Sequence, residues 1–170
     1  LLNNSRVIVF LQNSTTRGSM FEIYYDSGLK SVLREHIAEY ELPATYNEQM
    51  LAKIMKNLVA VAPATEYGLY VGSHGKGWIP KVESNTGMTT YQTAIEERIW
   101  MPAPGAAMVR HIGDNTSTQL NTTEVAQAIA STGVHLNYMI FDVCYMSNIE
   151  SAYDLKDVTD YILASPCEVM

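Results

Sequence analysis

Basic residues are scarce in this chain: eleven Lys and Arg stand against eighteen Asp and Glu, a net charge of −7 over 170 residues. That balance disfavours nucleic acid and anionic membrane as partners, because both demand a basic surface, and it is compatible with a cationic ligand. Long apolar runs are missing too; none approaches the roughly 18–20 residues that cross a bilayer. Two cysteines are too few for a disulfide scaffold. Neither they nor the four histidines (His36, His74, His111, His135) show metal-ligand spacing such as CxxC or HExxH. Charged residues make up only 17% and apolar residues 47%, an ordinary balance that argues against disorder. The length fits one domain with a sizeable core. The chain opens on Leu1 and stops at Met170, and the expectation is a processed chain or a piece of a longer one.

The pattern of elements is that of an α/β protein. RVIVFLQ (6–12) is a nearly continuous apolar run and predicts a strand buried on both faces, followed by a hairpin-related strand over 19–25. A short helix is expected within 30–40. Thr45 and Glu48 have capping-box spacing, ahead of a stripe of Met50, Leu51, Ile54, Met55, Leu58 and Val59. EYGLYVG (66–72) predicts a buried strand that delivers SHGKGW (73–78) at its carboxyl end. From Gly75 to about Arg110 no period holds, and a loop of that length is functional or mobile as a rule. AMVRHI (107–112) predicts a short strand. Asn121 and Glu124 repeat the capping-box spacing before a helix over 122–131, with Leu120 and Val125 as a hydrophobic staple. Strand 136–143, helix 145–155 and strand 158–164 complete the order. Such alternation implies right-handed crossovers and a mostly parallel sheet flanked by helices.

Ligands of such sheets bind at the carboxyl ends of strands. His74 and Cys144 each stand at one. A cysteine nucleophile needs a thiolate, a nearby base and donors for the oxyanion. A helix beginning at Tyr145 would favour the Cys144 thiolate through its dipole, and the Gly75 amide can serve as an oxyanion donor. The alternative for Cys144 is an inert core thiol. Asp142 stands two residues earlier, on the same side of the strand by alternation. There it suits a cationic substrate group, with a helix-capping carboxylate as the alternative. The residues alone thus point to cysteine-dependent cleavage beside a basic residue.

SHGKGW, followed by FDVCYMSNIESAYDLKDVTDYILASP, resembles the clostripain family of cysteine peptidases, related to caspases, gingipains and legumains. The resemblance runs from about residue 6 to 168. It implies one caspase-like α/β/α domain over 1–170, with a His74–Cys144 dyad and Asp142 at the base of a pocket for Arg or Lys. Protein or peptide substrates with basic residues are the implied partners. No cofactor is implied for the chemistry, and calcium is implied as an activator in some members. Maturation by cleavage in the loop after the histidine is also implied, with Lys76, Lys81, Arg98 and Arg110 as candidate points. So is a secreted or cell-envelope setting, although no signal-peptide pattern stands in these residues.

The resemblance further implies a strand–helix unit upstream, filling a gap between strands 6–12 and 66–72, and more chain after Met170. Pro166 and Cys167 depart from the ASEE that relatives carry, which alters the expected pocket rim. Ser165 and Glu168 are candidates for the pocket wall, with an ordinary loop role as the alternative. Cys167 is expected to be a partly buried loop thiol; pairing with Cys144, which would switch activity off, is the alternative. Ser73 lacks the partners of a serine hydrolase, and His111 and His135 stand in no motif. The competing functional expectation is an inactive binding or scaffold module of the same fold.

Overall fold

The computed structural model describes residues 5–43, 45–75, 112–113 and 118–169. Three strands open the chain: β1 (Val7–Ser14), β2 (Arg17–Asp26) and β3 (Ser31–Glu41). They pair in order as an antiparallel sheet. Residues 31–41 are therefore a strand, correcting the expected helix over 30–40. The cause is tertiary pairing. Asp26 Oδ1 accepts from the Gly28 and Leu29 N–H groups, each at 2.8 Å, and turns the chain so that β3 lies along the whole of β2. Ten cross-strand partners outweigh the weak helical propensity of SVLREHIAEYE. β1 is likewise not buried on both faces: Val7 and Leu11 are exposed on an edge strand. It and the strand over 68–72 are edge strands of two separate three-stranded sheets.

Helix α1 (Glu48–Val61) follows, with Asn47 as its cap. The Asn47 carboxamide oxygen accepts from the Met50 N–H at 2.9 Å, so Asn47 takes the role expected of Thr45. Met50, Ile54 and Met55 of the expected stripe are buried, and Leu51 and Leu58 pack at the edge of the same core. The antiparallel sheet is fastened to α1 by polar contacts. Arg6 donates to Glu22 and to the Val61 carbonyl, and Asn57 donates to the Tyr40 hydroxyl at 3.0 Å. The Glu22 carboxyl is held below its ordinary pKa by the hydrogen bond from Arg6.

The second sheet is parallel, β4 (Gly68–Gly72), β5 (Leu136–Asp142) and β6 (Thr159–Leu163), in that order. Helix α2 (Thr122–Ala130) precedes β5, and α3 (Ile149–Leu155) joins β5 to β6. Asn121 opens α2 as expected, with the Glu124 carboxylate accepting from the Asn121 N–H at 2.8 Å. α1 packs on α2 and α2 on α3, forming one helical layer. That layer covers the face of the sheet carrying Met139, Phe141 and Val143, together with Ile129, Val125 and Leu155. Alternation leaves Tyr70, Tyr138, Asp142 and Tyr161 exposed on the other face. The expected strand over 107–112 lies outside the described residues except for Ile112, which bridges Gly75 and Leu120. The loop from Lys76 to Arg110 lies outside them too.

Candidate active site

The parallel register places the site. β4 and β5 are adjacent, with Gly72 opposite Asp142, and the Ser73 N–H continues the pairing by donating to the Asp142 carbonyl at 3.3 Å. The next residues of both strands therefore leave the sheet side by side. Gly75 is buried against the Val143–Cys144 backbone. A Cβ there would lie 2.1 Å from Val143 Cγ1 and 2.8 Å from the Cys144 carbonyl oxygen. His74 and Cys144, 70 positions apart in sequence, thus share one rim. The His74 side of that rim is tied down by the Gly113 N–H, which donates to the His74 carbonyl at 3.0 Å.

Cys144 does not stand at a helix N-terminus, as the sequence suggested. β5 ends at Asp142, Tyr145 adopts a left-handed φ of 61°, and α3 begins only at Ile149. Asn148 is the reason. Its side chain accepts from the Ser151 N–H at 2.8 Å, and its amide donates to the Tyr145 carbonyl at 2.8 Å. One asparagine therefore caps the helix and fixes the turn that holds Cys144. Val143 and Met146 are buried and anchor that turn from below. Asn148→Ala is expected to cost about 1 kcal/mol of stability in a denaturant titration of the full-length protein. An unchanged midpoint would show that the turn stands without its cap.

The other wall comes from the segment after β6. The Tyr145 N–H donates to the Cys167 carbonyl at 3.1 Å, and the Ser147 N–H to the Ser165 carbonyl at 3.0 Å. The Val169 N–H points at Cys144 Sγ from 3.4 Å, and that thiol donates to the Val169 carbonyl at 3.8 Å. Tyr145 donates to Glu168 at 3.0 Å, and that bond holds the phenol above its ordinary pKa. Ser165 takes its place beside Ser147, its hydroxyl accepting from the Cys167 N–H at 3.2 Å. Both cysteines are free thiols; Cys144 is half-buried, and Cys167 is exposed rather than partly buried.

Asp142 is exposed at the end of β5, and its Oδ2 accepts from the Tyr70 hydroxyl at 2.5 Å. Sequence reasoning missed Tyr70, because a partner on another strand becomes visible only once the register is known. His135 meets Asp160 at 2.9 Å on the surface, well away from this rim in the β5–β6 ladder. His111 and the candidate processing residues Lys76, Lys81, Arg98 and Arg110 lie outside the described residues. Among the described residues, no group of three His, Cys, Asp or Glu side chains is arranged to hold a metal ion. No helix among them is long and apolar enough to cross a membrane.

The family model described as the clostripain family matches residues 1–170. Among solved structures, the chain is 32% identical to a secreted C11 cysteine protease from Bacteroides thetaiotaomicron, iotapain, with a TM-score of 0.78. That match covers 99% of this chain and 44% of the other. A second secreted C11 cysteine protease from Bacteroides thetaiotaomicron, in complex with an irreversible peptide inhibitor, is 25% identical with a TM-score of 0.63. It covers 96% of this chain and 39% of the other. An inactive zymogen C11 protease from Parabacteroides distasonis shares the fold at 21% identity and a TM-score of 0.67, over 99% of this chain and 40% of its own. The chain thus spans less than half the length of these solved relatives. No curated protein matches it.

Proposed function

The chain belongs to the clostripain family, and on that premise we propose that the full-length protein is a cysteine endopeptidase cutting after Arg or Lys. One observation carries the reading: the pairing of β4 with β5 brings Gly75 against Val143–Cys144, so His74 and Cys144 follow neighbouring strand ends. In the proposed reaction the Cys144 sulfur attacks the scissile carbonyl carbon. The oxyanion is held by backbone amides, that of Gly75 among them. His74, which takes the Cys144 thiol proton as the sulfur attacks, passes it to the leaving amine, and a thioester remains. Water, deprotonated by His74, then attacks the thioester and releases the acid, and His74 returns that proton to the leaving sulfur to restore the thiol. Asp142 selects the basic side chain by a charge-assisted contact at the rim. Ser165 belongs to the adjoining wall through its contacts with Ser147 and Cys167.

Maturation by cleavage after a basic residue in the loop beyond His74 fits the same specificity. A secreted or cell-envelope setting fits the relatives described as secreted. The inactive-scaffold alternative is not favoured, because both chemical groups are present at the ends of neighbouring strands.

The test is turnover of Arg-, Lys- and Asp-terminated fluorogenic peptides under reducing conditions, with and without calcium as the candidate activator. Turnover of the Arg and Lys peptides alone is expected; no turnover at all would sink the peptidase reading. Asp142→Ala is expected to lower kcat/KM for both basic peptides about thirtyfold, the lower end for a broken charge-assisted contact near solvent. Labelling of Cys144 by a small neutral electrophile should stay within about twofold, since Asp142 acts on the substrate and not on the sulfur. Equal losses in both measurements would make Asp142 a structural residue.

A further inference from the structure

We infer that Tyr70 is a positioning residue for the Asp142 carboxylate, holding one of its oxygens so that the site prefers the guanidinium of Arg to the ammonium of Lys. The inference rests on the reading of Asp142 as the selector. Two observations carry it. Tyr70 and Asp142 lie on the same exposed face of neighbouring strands, diagonal to each other by register, since Tyr70 pairs with Ile140 and Gly72 with Asp142. The phenol crosses that diagonal and donates to Asp142 Oδ2. Its path is kept open by Gly72: a Cβ there would lie 3.3 Å from Tyr70 Cε1 and 3.9 Å from the hydroxyl. The ring thus lies over a residue with no side chain, although Tyr70 is 60% exposed and has solvent on its other side.

The chemistry follows from the donors and acceptors. A carboxylate at a strand end turns freely about its last bond, which is broad and roughly two-fold. A hydrogen bond to Oδ2 removes that freedom and leaves Oδ1 for a substrate cation. The phenol oxygen, having donated its proton, keeps its lone pairs as acceptors. Asp142 Oδ1 and the Tyr70 hydroxyl oxygen then form a pair of acceptors on one face. Guanidinium presents its N–H groups in a fixed fork that suits two acceptors, whereas ammonium is a compact point charge satisfied by the carboxylate alone. The hydrogen bond to Asp142 also holds the Tyr70 phenol above its ordinary pKa, so it remains the donor through the neutral range.

The experiment is a double-mutant cycle in the full-length protein with Arg- and Lys-terminated peptides: wild type, Tyr70→Phe, Asp142→Ala and the pair. Phenylalanine removes one exposed hydroxyl and keeps the ring. Tyr70→Phe is expected to lower kcat/KM for the Arg peptide about five- to tenfold, as for a lost hydrogen bond to a charged group. The loss should sit in KM, with kcat and electrophile labelling of Cys144 within about twofold, and the Lys peptide should fall only about twofold. Added to Asp142→Ala, it should change nothing further. If Asp142→Ala impairs basic peptides while Tyr70→Phe leaves KM and the Arg-to-Lys ratio unchanged, the role of Tyr70 is overturned and the selector reading stands. Equal losses for Arg and Lys, or a matching loss of labelling, overturn it as well. Should Asp142→Ala spare basic peptides, the selector reading falls and the inference with it.

Discussion

Cys144→Ala is expected to abolish turnover of Arg- and Lys-terminated peptides by the full-length protein, a loss of about 10⁴-fold or more. The substitution removes only the sulfur. Its hydrogen bonds to the Val169 backbone are long, and the turn around it is held by other groups: Val143 and Met146 beneath, and Asn148 bonding to the Tyr145 carbonyl. The fold should therefore survive, with a melting temperature within about 2 °C of wild type. Cys167→Ala is the matched control. Cys167 is exposed, and its thiol lies 3.4 Å from the Ser165 hydroxyl. It contributes its carbonyl to the Tyr145 N–H, a backbone contact that alanine keeps. Its loss should leave more than half of the activity. Two measurements decide the matter, kcat/KM on the Arg peptide and the mass of the protein after an alkylating reagent. Retained turnover in Cys144→Ala, or its loss in Cys167→Ala, would place the nucleophile elsewhere.

How much of this site was legible in the sequence depended on whether the physics was local. The stripe from Met50 to Leu58 announces α1, because a period of 3.6 is a property of one segment. The apolar runs ending at Gly72 and Asp142 announce β4 and β5 for the same reason, and their shared rim follows from the rule for parallel sheets. Residues 31–41 misled because their pattern is weak and the partner that decides it, β2, is remote in the chain. The start of α3 misled differently. Its signal was present, since Asn148 stands directly before Ile149 and is a strong cap, but the polar run after Cys144 reads equally well as a first helical turn. Tyr70 could not be found at all, because its meaning lies in a register that one strand does not specify. His74 and Cys144 stood out as chemistry, and Ser165 and Glu168 as candidates for the adjoining wall. The backbone contacts that fix it, from Gly113 to His74 and from Tyr145 and Ser147 to residues 165–167, belong to tertiary structure alone.

Those walls make Gly75 the residue on which the rim geometry turns. Gly75→Ala is expected to lower kcat/KM on Arg peptides by about 10²–10³-fold, the cost of displacing a nucleophile or an oxyanion donor by about an ångström. The added Cβ meets two atoms that cannot easily give way. Val143 Cγ1, at 2.1 Å, belongs to a β-branched side chain that is 1% exposed, so its rotamer is fixed by the core. The Cys144 carbonyl oxygen, at 2.8 Å, is backbone, and moving it moves Cys144, the proposed nucleophile. The strand end that carries His74 must therefore separate from the one that carries Cys144, while the helical layer beneath is untouched. The loss should accordingly appear in kcat, with a much smaller change in far-ultraviolet circular dichroism. Val143→Ala in the same chain sharpens the test. It removes the first clash and leaves the second, so rescue should be partial, recovering about tenfold at most. Full activity in Gly75→Ala would mean that the two strand ends do not meet in the catalytic state. Full rescue by Val143→Ala would mean that side-chain packing, and not the approach of the two backbones, sets the distance between His74 and Cys144.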